Sequence, residues 1–466
     1  MRKVRAVQSY PAKYSEDPIQ NRQWSVRIWW ELGALTIPVL VGNILQQTYN
    51  LVDTILVGYY LGERAFSALG IAGTISNLLL FLIFGCCTGI GVVVAELYGK
   101  KDYPTLRKAL HLSALLGGVF TLLISALSAA FLPSLLFLLA TPQALKPYVT
   151  EYVHIIQLFL VVTFSNNGLF SVLRAISDAK SATLFLAISM LSNIVLDVVC
   201  IGTLGMGIAG AAYATILAQA ISVYCSLLHI VRKKRFLLGK ESFEKADIQL
   251  LRKIGSYSFV SALHMSSLYV GRMLVQGIVN TVGMAEISAF TAASRIESLA
   301  QAVSTSVAEG LGLYIAQNRG AGDRSRIRKG LQVGGTFLTA GGMVVSLIMV
   351  FAPAPLIQMM LKTASAQTLL AGSEYFRMVG YFYTLCFLGN LFLGYCRGSG
   401  QVTQQFFITT THLTVRIIIA YSLAETMGLR AVALGTGIGW IVMIGLQLIE
   451  FSRCRKHDPL LSPARI

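Results

Sequence analysis

The sequence predicts an all-α polytopic membrane protein: twelve transmembrane helices in two parallel, pseudo-symmetric six-helix lobes around a central cleft. Three observations predict it. The 466-residue chain is 55% hydrophobic and 13% charged, with a mean hydropathy of +0.66, too apolar for a soluble protein of this size. Apolar runs long enough to cross a hydrocarbon core of about 30 Å recur from Trp29 to the region of Glu450. The second half of the chain also repeats the first.

In chain order, residues 1–29 form a tail that stays polar as far as Gln23 and shows no short apolar core with a cleavage site, so it leads into a retained first helix. The first lobe, 30–231, holds spans at 30–57, 65–97, 105–139, 146–175, 180–202 and 206–231. A basic linker, 232–254, follows and is expected to lie on the cytoplasmic membrane surface, against anionic lipid. The second lobe, 255–452, holds spans at 255–280, 284–317, 328–361, 369–397, 402–424 and 429–452, and a tail, 453–466, closes the chain.

Charge separates these spans. Lys100, Lys101, Arg107 and Lys108 divide the second from the third, Arg174 and Lys180 the fourth from the fifth, and Arg319 to Lys329 the eighth from the ninth. With both termini inside, roughly thirty Lys and Arg fall on the cytoplasmic side against five outside, the positive-inside pattern of an inner cell membrane protein. The net charge of +17 is therefore a topology signal, and no nucleic-acid partner is expected.

An offset of 221 residues pairs Gly62 with Gly283, Gly89 with Gly310, Gly99 with Gly320 and Asp102 with Asp323. Further on, an offset of 223 pairs Asn167 with Asn390, Arg174 with Arg397 and Gly205 with Gly428. Six spans per copy, an even number, make the repeats parallel, with a cleft at their interface. Nothing in the chain requires a second copy, so a monomer is expected.

No GxxxxGK[ST] loop is present to power a pump with ATP, and no HExxH. The seven cysteines form no CxxC pair, and the six histidines are dispersed, which leaves a membrane-embedded enzyme without a ligand or nucleophile set. No cofactor is expected. The glycines at 85 and 89, and at 435, 437 and 439, read as close helix packing.

Two acids, Asp53 in TYNLVDTILVG and Asp197 in LSNIVLDVVCIG, sit inside apolar runs. A carboxylate at membrane depth costs several kcal/mol unless it faces a cavity or partner, so its presence points to proton or ion transport. At ~1.5 Å per residue, Asp53 lies about 6 Å, Asp197 roughly 8 Å and Thr215 roughly 14 Å below the outer ends of their helices. Asn193, one turn beneath Asp197, shares its face. The four offer carboxylate, amide and hydroxyl oxygens, a set suited to Na+ or to a shared proton, with capping of helix ends as the competing reading. Pro38 predicts a kink in the first span, and Gln46, Tyr49 and Asn50 near Asp53 are candidates to line the cleft.

The segments IPVLVGNILQQTYNLVDTILVGYYLG, AELYGKKD with AQNRGAGD, RAISDAKSA and LSNIVLDVVCIGTLGMGIAGAAYAT resemble the multidrug and toxic compound extrusion (MATE) family of secondary transporters, over about residues 30 to 455. The resemblance implies alternating access and export of small amphipathic, cationic organic compounds driven by inward proton or sodium movement. It also implies an N-lobe cation site, which falls here on Asp53, Asn193, Asp197 and Thr215, and a first-helix proline, Pro38.

The second lobe departs from that pattern. Some branches carry an acid in the seventh helix, where HMSSLYVGRMLVQG has Arg272 instead; Arg416 is the repeat counterpart of Asn193. Glu297 is the candidate partner for these arginines, so the lobe either ties itself together by ion pairs or favours a cargo with negative character. The alternatives to drug export are a lipid-linked oligosaccharide flippase and an exporter of an anionic metabolite.

Overall fold

The computed structural model describes residues 18–138, 141–239, 247–360 and 365–457; side chains at 18–27, 48–55, 58, 63, 64, 66, 67, 138, 280, 284 and 454–457 lie outside that description. Regular structure among the described residues is entirely helical, as hydrocarbon requires of a chain that must satisfy every backbone polar group internally. The first helix, α1 (Pro18–Lys100), carries two spans, Ile28–Gln47 and Ala68–Lys100, and leaves helical geometry at Gly62. The third span is α2 (Tyr103–Leu138). The fourth, expected as one helix, is two: α3 (Lys146–Leu158) and α4 (Leu160–Ala175), bent by 55° at Phe159. Next come α5 (Ala179–Asp197), continued by a π-helical turn (Val198–Thr203), and α6 (Gly207–Lys233).

The second half comprises α7 (Asp247–Val282), α8 (Met284–Gly320), α9 (Arg324–Phe351), the short α10 (Pro353–Met360), α11 (Ala366–Gly398), α12 (Val402–Met427) and α13 (Leu429–His457). The span expected over 328–361 ends at Phe351, because Pro353 supplies no amide to continue the helix. Among the described residues, nine helices are long and apolar enough to cross a membrane, ten with the bent pair counted. The other two of the expected spans are α7 and α8, which have the length but carry Arg272, Arg295, Glu297 and many Ser, Thr and Gln residues. Both pack against α1, where polar groups meet protein or cleft instead of lipid.

The repeat extends to the turns. Asp102 Oδ1 accepts from Thr105 N at 3.2 Å to cap α2, and its counterpart Asp323 Oδ1 accepts from Arg326 N at 3.1 Å to cap α9. The residue before each cap is left-handed, Lys101 at φ 58° and Gly322 at φ 74°. After α4 and α11 the same holds for Ser177 at φ 64° and Gly400 at φ 80°.

Each half has its own apolar core, one around Ala68, Ile75 and Val153, the other around Val279, Phe376 and Tyr383. Two further clusters straddle the halves, joining Cys87 and Leu173 to Ile254 and Ala262, and Leu32 and Leu35 to Leu311 and Tyr395. The halves close most tightly where α1 crosses α8. A Cβ on Gly99 would lie 1.9 Å from the Gln317 carbonyl oxygen, and one on Gly320 2.1 Å from that of Glu96. Gly99 and Gly320 are repeat counterparts, as are Glu96 and Gln317, so the two contacts are one contact repeated across the pseudo-two-fold axis. They seal the end of the bundle that carries the basic turns.

Candidate functional site

The first half builds its polar pocket on α5 and α6. Asn193 and Asp197 are both completely buried, one turn apart on α5, and Thr215 of α6 is 9% exposed. Asn193 Nδ2 donates to Thr215 Oγ1 at 3.5 Å, and Asn193 Oδ1 has no hydrogen-bond partner among the described residues. Asp197 is the last α-helical residue before the π-turn, in which Leu204 N donates to Val199 O at 2.9 Å. Such widened turns recur at functional sites because they displace the helix ladder and redirect side chains. Sequence reading found the three residues but not the π-turn, which has no distinctive composition.

Pro38 is buried, and its carbonyl accepts from Thr183 Oγ1 at 2.7 Å, which ties the first span to α5. Gln46 is exposed. The side chains of Asp53, Tyr49 and Asn50 lie outside the described residues.

The second half is polarised the other way. Arg272 of α7 donates from Nη2 to Gln301 Oε1 at 2.9 Å. It is solvent-exposed and within electrostatic range of Arg416, Glu297 and Tyr383, the setting in which an arginine at membrane depth faces a water-filled cavity instead of lipid. Glu297 is buried, and its Oε1 accepts from Tyr375 Oη at 2.9 Å while Tyr383 Oη donates to its backbone carbonyl at 3.3 Å. No ion pair within 4.0 Å joins Glu297 to Arg272 or Arg416 among the described residues. The direct pairing expected from sequence is replaced by the tyrosine bond, and the arginines act on Glu297 only through longer-range attraction. Gln301, Tyr375 and Tyr383 were not legible as partners, since their approach depends on how three helices rotate about their axes.

A further group lies nearer the sealed end. Arg174 of α4 is buried and pairs with Glu309 of α8 at 2.7 Å, across the two halves. Arg397, its repeat counterpart, lines the same small cavity with Thr88, Ser171 and Gly312.

A sequence profile of the MatE family matches the chain twice, over residues 38–199 and 261–422. The chain belongs to the MatE family of multi-pass membrane transporters. It is 25% identical over 420 residues to the probable multidrug resistance protein YpnP of Bacillus subtilis, covering 88% of this chain and 92% of that one. It is likewise 25% identical over 313 residues to the FAD transporter of Shewanella oneidensis, covering 64% and 66%. The MATE transporter VcmN of Vibrio cholerae shares the fold with a TM-score of 0.84, at 19% identity over 94% of this chain and 99% of its own. The twofold MatE match coincides with the internal repeat, and the VcmN fold agrees with twelve helices in two lobes.

Proposed function

We propose that this MatE protein is a secondary antiporter that exports small amphipathic organic compounds by alternating access, driven by inward movement of H+ or Na+. The carrying observation is the buried set Asn193, Asp197 and Thr215, an acid with neutral oxygens at membrane depth. Helix register supports adding Asp53 to the set. The Thr183 to Pro38 bond aligns the first span with α5, and Asp53 and Asp197 stand fifteen and fourteen residues further along their helices, an equal rise at ~1.5 Å per residue. Relatives named for multidrug resistance and for FAD transport support a broad organic cargo.

On this reading the protein is not an enzyme, needs no cofactor, works as a monomer in the inner cell membrane and keeps both termini in the cytoplasm. Its lobes run from 30–231 and 255–452 about the 232–254 linker. The sealed basic end is then cytoplasmic, and the cleft opens outward.

The test is dye uptake into inverted membrane vesicles under an imposed proton gradient and then a sodium gradient, with cationic and anionic amphipathic dyes. Wild type is expected to move dye under one gradient, and Asp53→Asn and Asp197→Asn to abolish it. Transport by neither gradient, or full coupling retained in both variants, would overturn the reading.

A further inference from the structure

The cleft wall of the second half holds more positive than negative charge, and its carboxylates are already engaged. On α7, α8, α11 and α12, Asp247 is paired with Lys108, Glu309 with Arg174 and Glu374 with Arg430, while Glu286 and Glu425 stand near helix ends away from the centre. Of these carboxylates, Glu297 is the one within electrostatic range of both central arginines, and it accepts from Tyr375. Arg272 reaches solvent in the cleft and uses one nitrogen on a neutral amide. Arg416 Nε is buried without a hydrogen-bond partner among the described residues. Two guanidiniums against one carboxylate leave a surplus positive charge at membrane depth, where an uncompensated ion is expensive and a counter-ion is strongly favoured.

We propose that Arg272 and Arg416 form an oxyanion subsite in the second-half cleft, and that the exported cargo carries a carboxylate or phosphate group, as an amphipathic organic anion or zwitterion. The planar guanidinium fork matches both oxyanions and binds them bidentately, which an ammonium cannot do. The inference rests on the export reading and deepens it. The acidic pocket of the first half takes the coupling cation, and the basic wall of the second takes the anionic head of the cargo. The two ligands therefore need not compete for the same residues.

The test is equilibrium binding to the purified full chain in detergent, with two fluorophores that share a xanthene ring. Fluorescein carries a free carboxylate; tetramethylrosamine is a cation without one. Fluorescein is expected to bind wild type, to weaken at least about tenfold in Arg272→Gln and in Arg416→Gln, and to weaken less in Arg272→Lys, since each lost contact is a charge-assisted hydrogen bond. Tetramethylrosamine binding should not fall in these variants. Melting temperatures report folding, and Arg272→Gln alone decides the outcome if Arg416→Gln fails to fold, because Arg272 is already solvent-exposed. Unchanged fluorescein binding in Arg272→Gln, or equal loss of both dyes, overturns the subsite.

Nanodiscs separate the sources of oxyanion. Displacement of fluorescein by phosphatidylglycerol but not by inorganic phosphate would assign the arginines to a lipid headgroup and overturn the small-molecule cargo. Binding requires no gradient, so arginine-dependent fluorescein binding in a protein that moves no dye in vesicles would sink antiport and leave the subsite standing.

Discussion

Arg174 Nη1 donates to Glu309 Oε1 at 2.7 Å, joining α4 of the first half to α8 of the second inside the protein. Any conformer open at the basic end must separate these two charges or carry them apart on their helices. Arg397 lies within electrostatic range of the same carboxylate. Glu309 thus sits between two guanidiniums that are repeat counterparts, and the three groups form an asymmetric lock on a nearly symmetric frame.

The lock predicts unequal effects of neutralising its members. Removing Glu309 leaves the buried Arg174 and the half-buried Arg397 facing each other, whereas removing Arg174 leaves the carboxylate with Arg397. Glu309→Gln should destabilise by about 3 kcal/mol, the scale for breaking a buried pair, and Arg174→Gln by clearly less. Denaturation of both single variants and the double variant checks this. Equal losses, or a double variant as costly as the sum, would show that Arg397 does not take over.

The left-handed turns yield a second prediction. Lys101 and Ser177 occupy positions whose repeat counterparts are Gly322 and Gly400, and an L-residue there is strained by about 1 kcal/mol relative to glycine. Lys101→Gly and Ser177→Gly should raise the melting temperature slightly. Gly400→Ala should cost more than Gly322→Ala, since a Cβ on Gly400 would lie 2.1 Å from Tyr257 Oη, while nothing lies within 4 Å of one on Gly322.

The sequence carried the repeat because backbone requirements are written in residue type. Glycine at 99 and 320 and aspartate caps at 102 and 323 survive in both copies for steric and capping reasons. The spacing of Asn193 and Asp197 placed them on one face for the same kind of local reason. What sequence could not supply were partners across helices: Thr183 for the Pro38 carbonyl, Tyr375 for Glu297, Glu309 for Arg174. Periodicity gives the face of a helix but not its rotation against a neighbour. The positive-inside rule scores every basic residue near a membrane edge alike, so it does not separate the buried Arg174 from charges that face solvent. The breaks at Phe159 and after Asp197 left no compositional trace.

A third prediction concerns pH. Asp178, in the turn before α5, accepts from His229 Nε2 and Lys234 Nζ, each at 2.9 Å. Burial raises its proton affinity, but hydrogen bonds from Ser181, His229 and Lys234 outweigh that and hold the carboxyl at about 2 against an ordinary 3.8. A depressed carboxyl contributes stability that is complete above its unfolded value and is lost as pH falls through the folded one. The melting-temperature gap between wild type and Asp178→Asn should stay constant from neutral pH to about 4, then narrow toward pH 2. A gap that closes already near pH 5 would contradict the assignment.

The crossing of Gly99 and Gly320 predicts how the basic end is held shut. A methyl at either position would press on a backbone carbonyl, 1.9 Å away at Gly99 and 2.1 Å at Gly320, and a carbonyl within a helix cannot swing aside as a side chain can. The helices must part, and overpacking of this kind costs about 1–3 kcal/mol, all of it charged to the closed conformer. Ser171 lines the cavity just inside this seal and is nearly isosteric with cysteine. In a Ser171→Cys background, maleimide labelling from the basic side should accelerate about tenfold when Gly99→Ala or Gly320→Ala is added. The two substitutions should act alike because their contacts are related by the pseudo-two-fold axis. Labelling that stays slow in both would mean that the Arg174 to Glu309 lock, and not the glycine crossing, closes this end of the transporter.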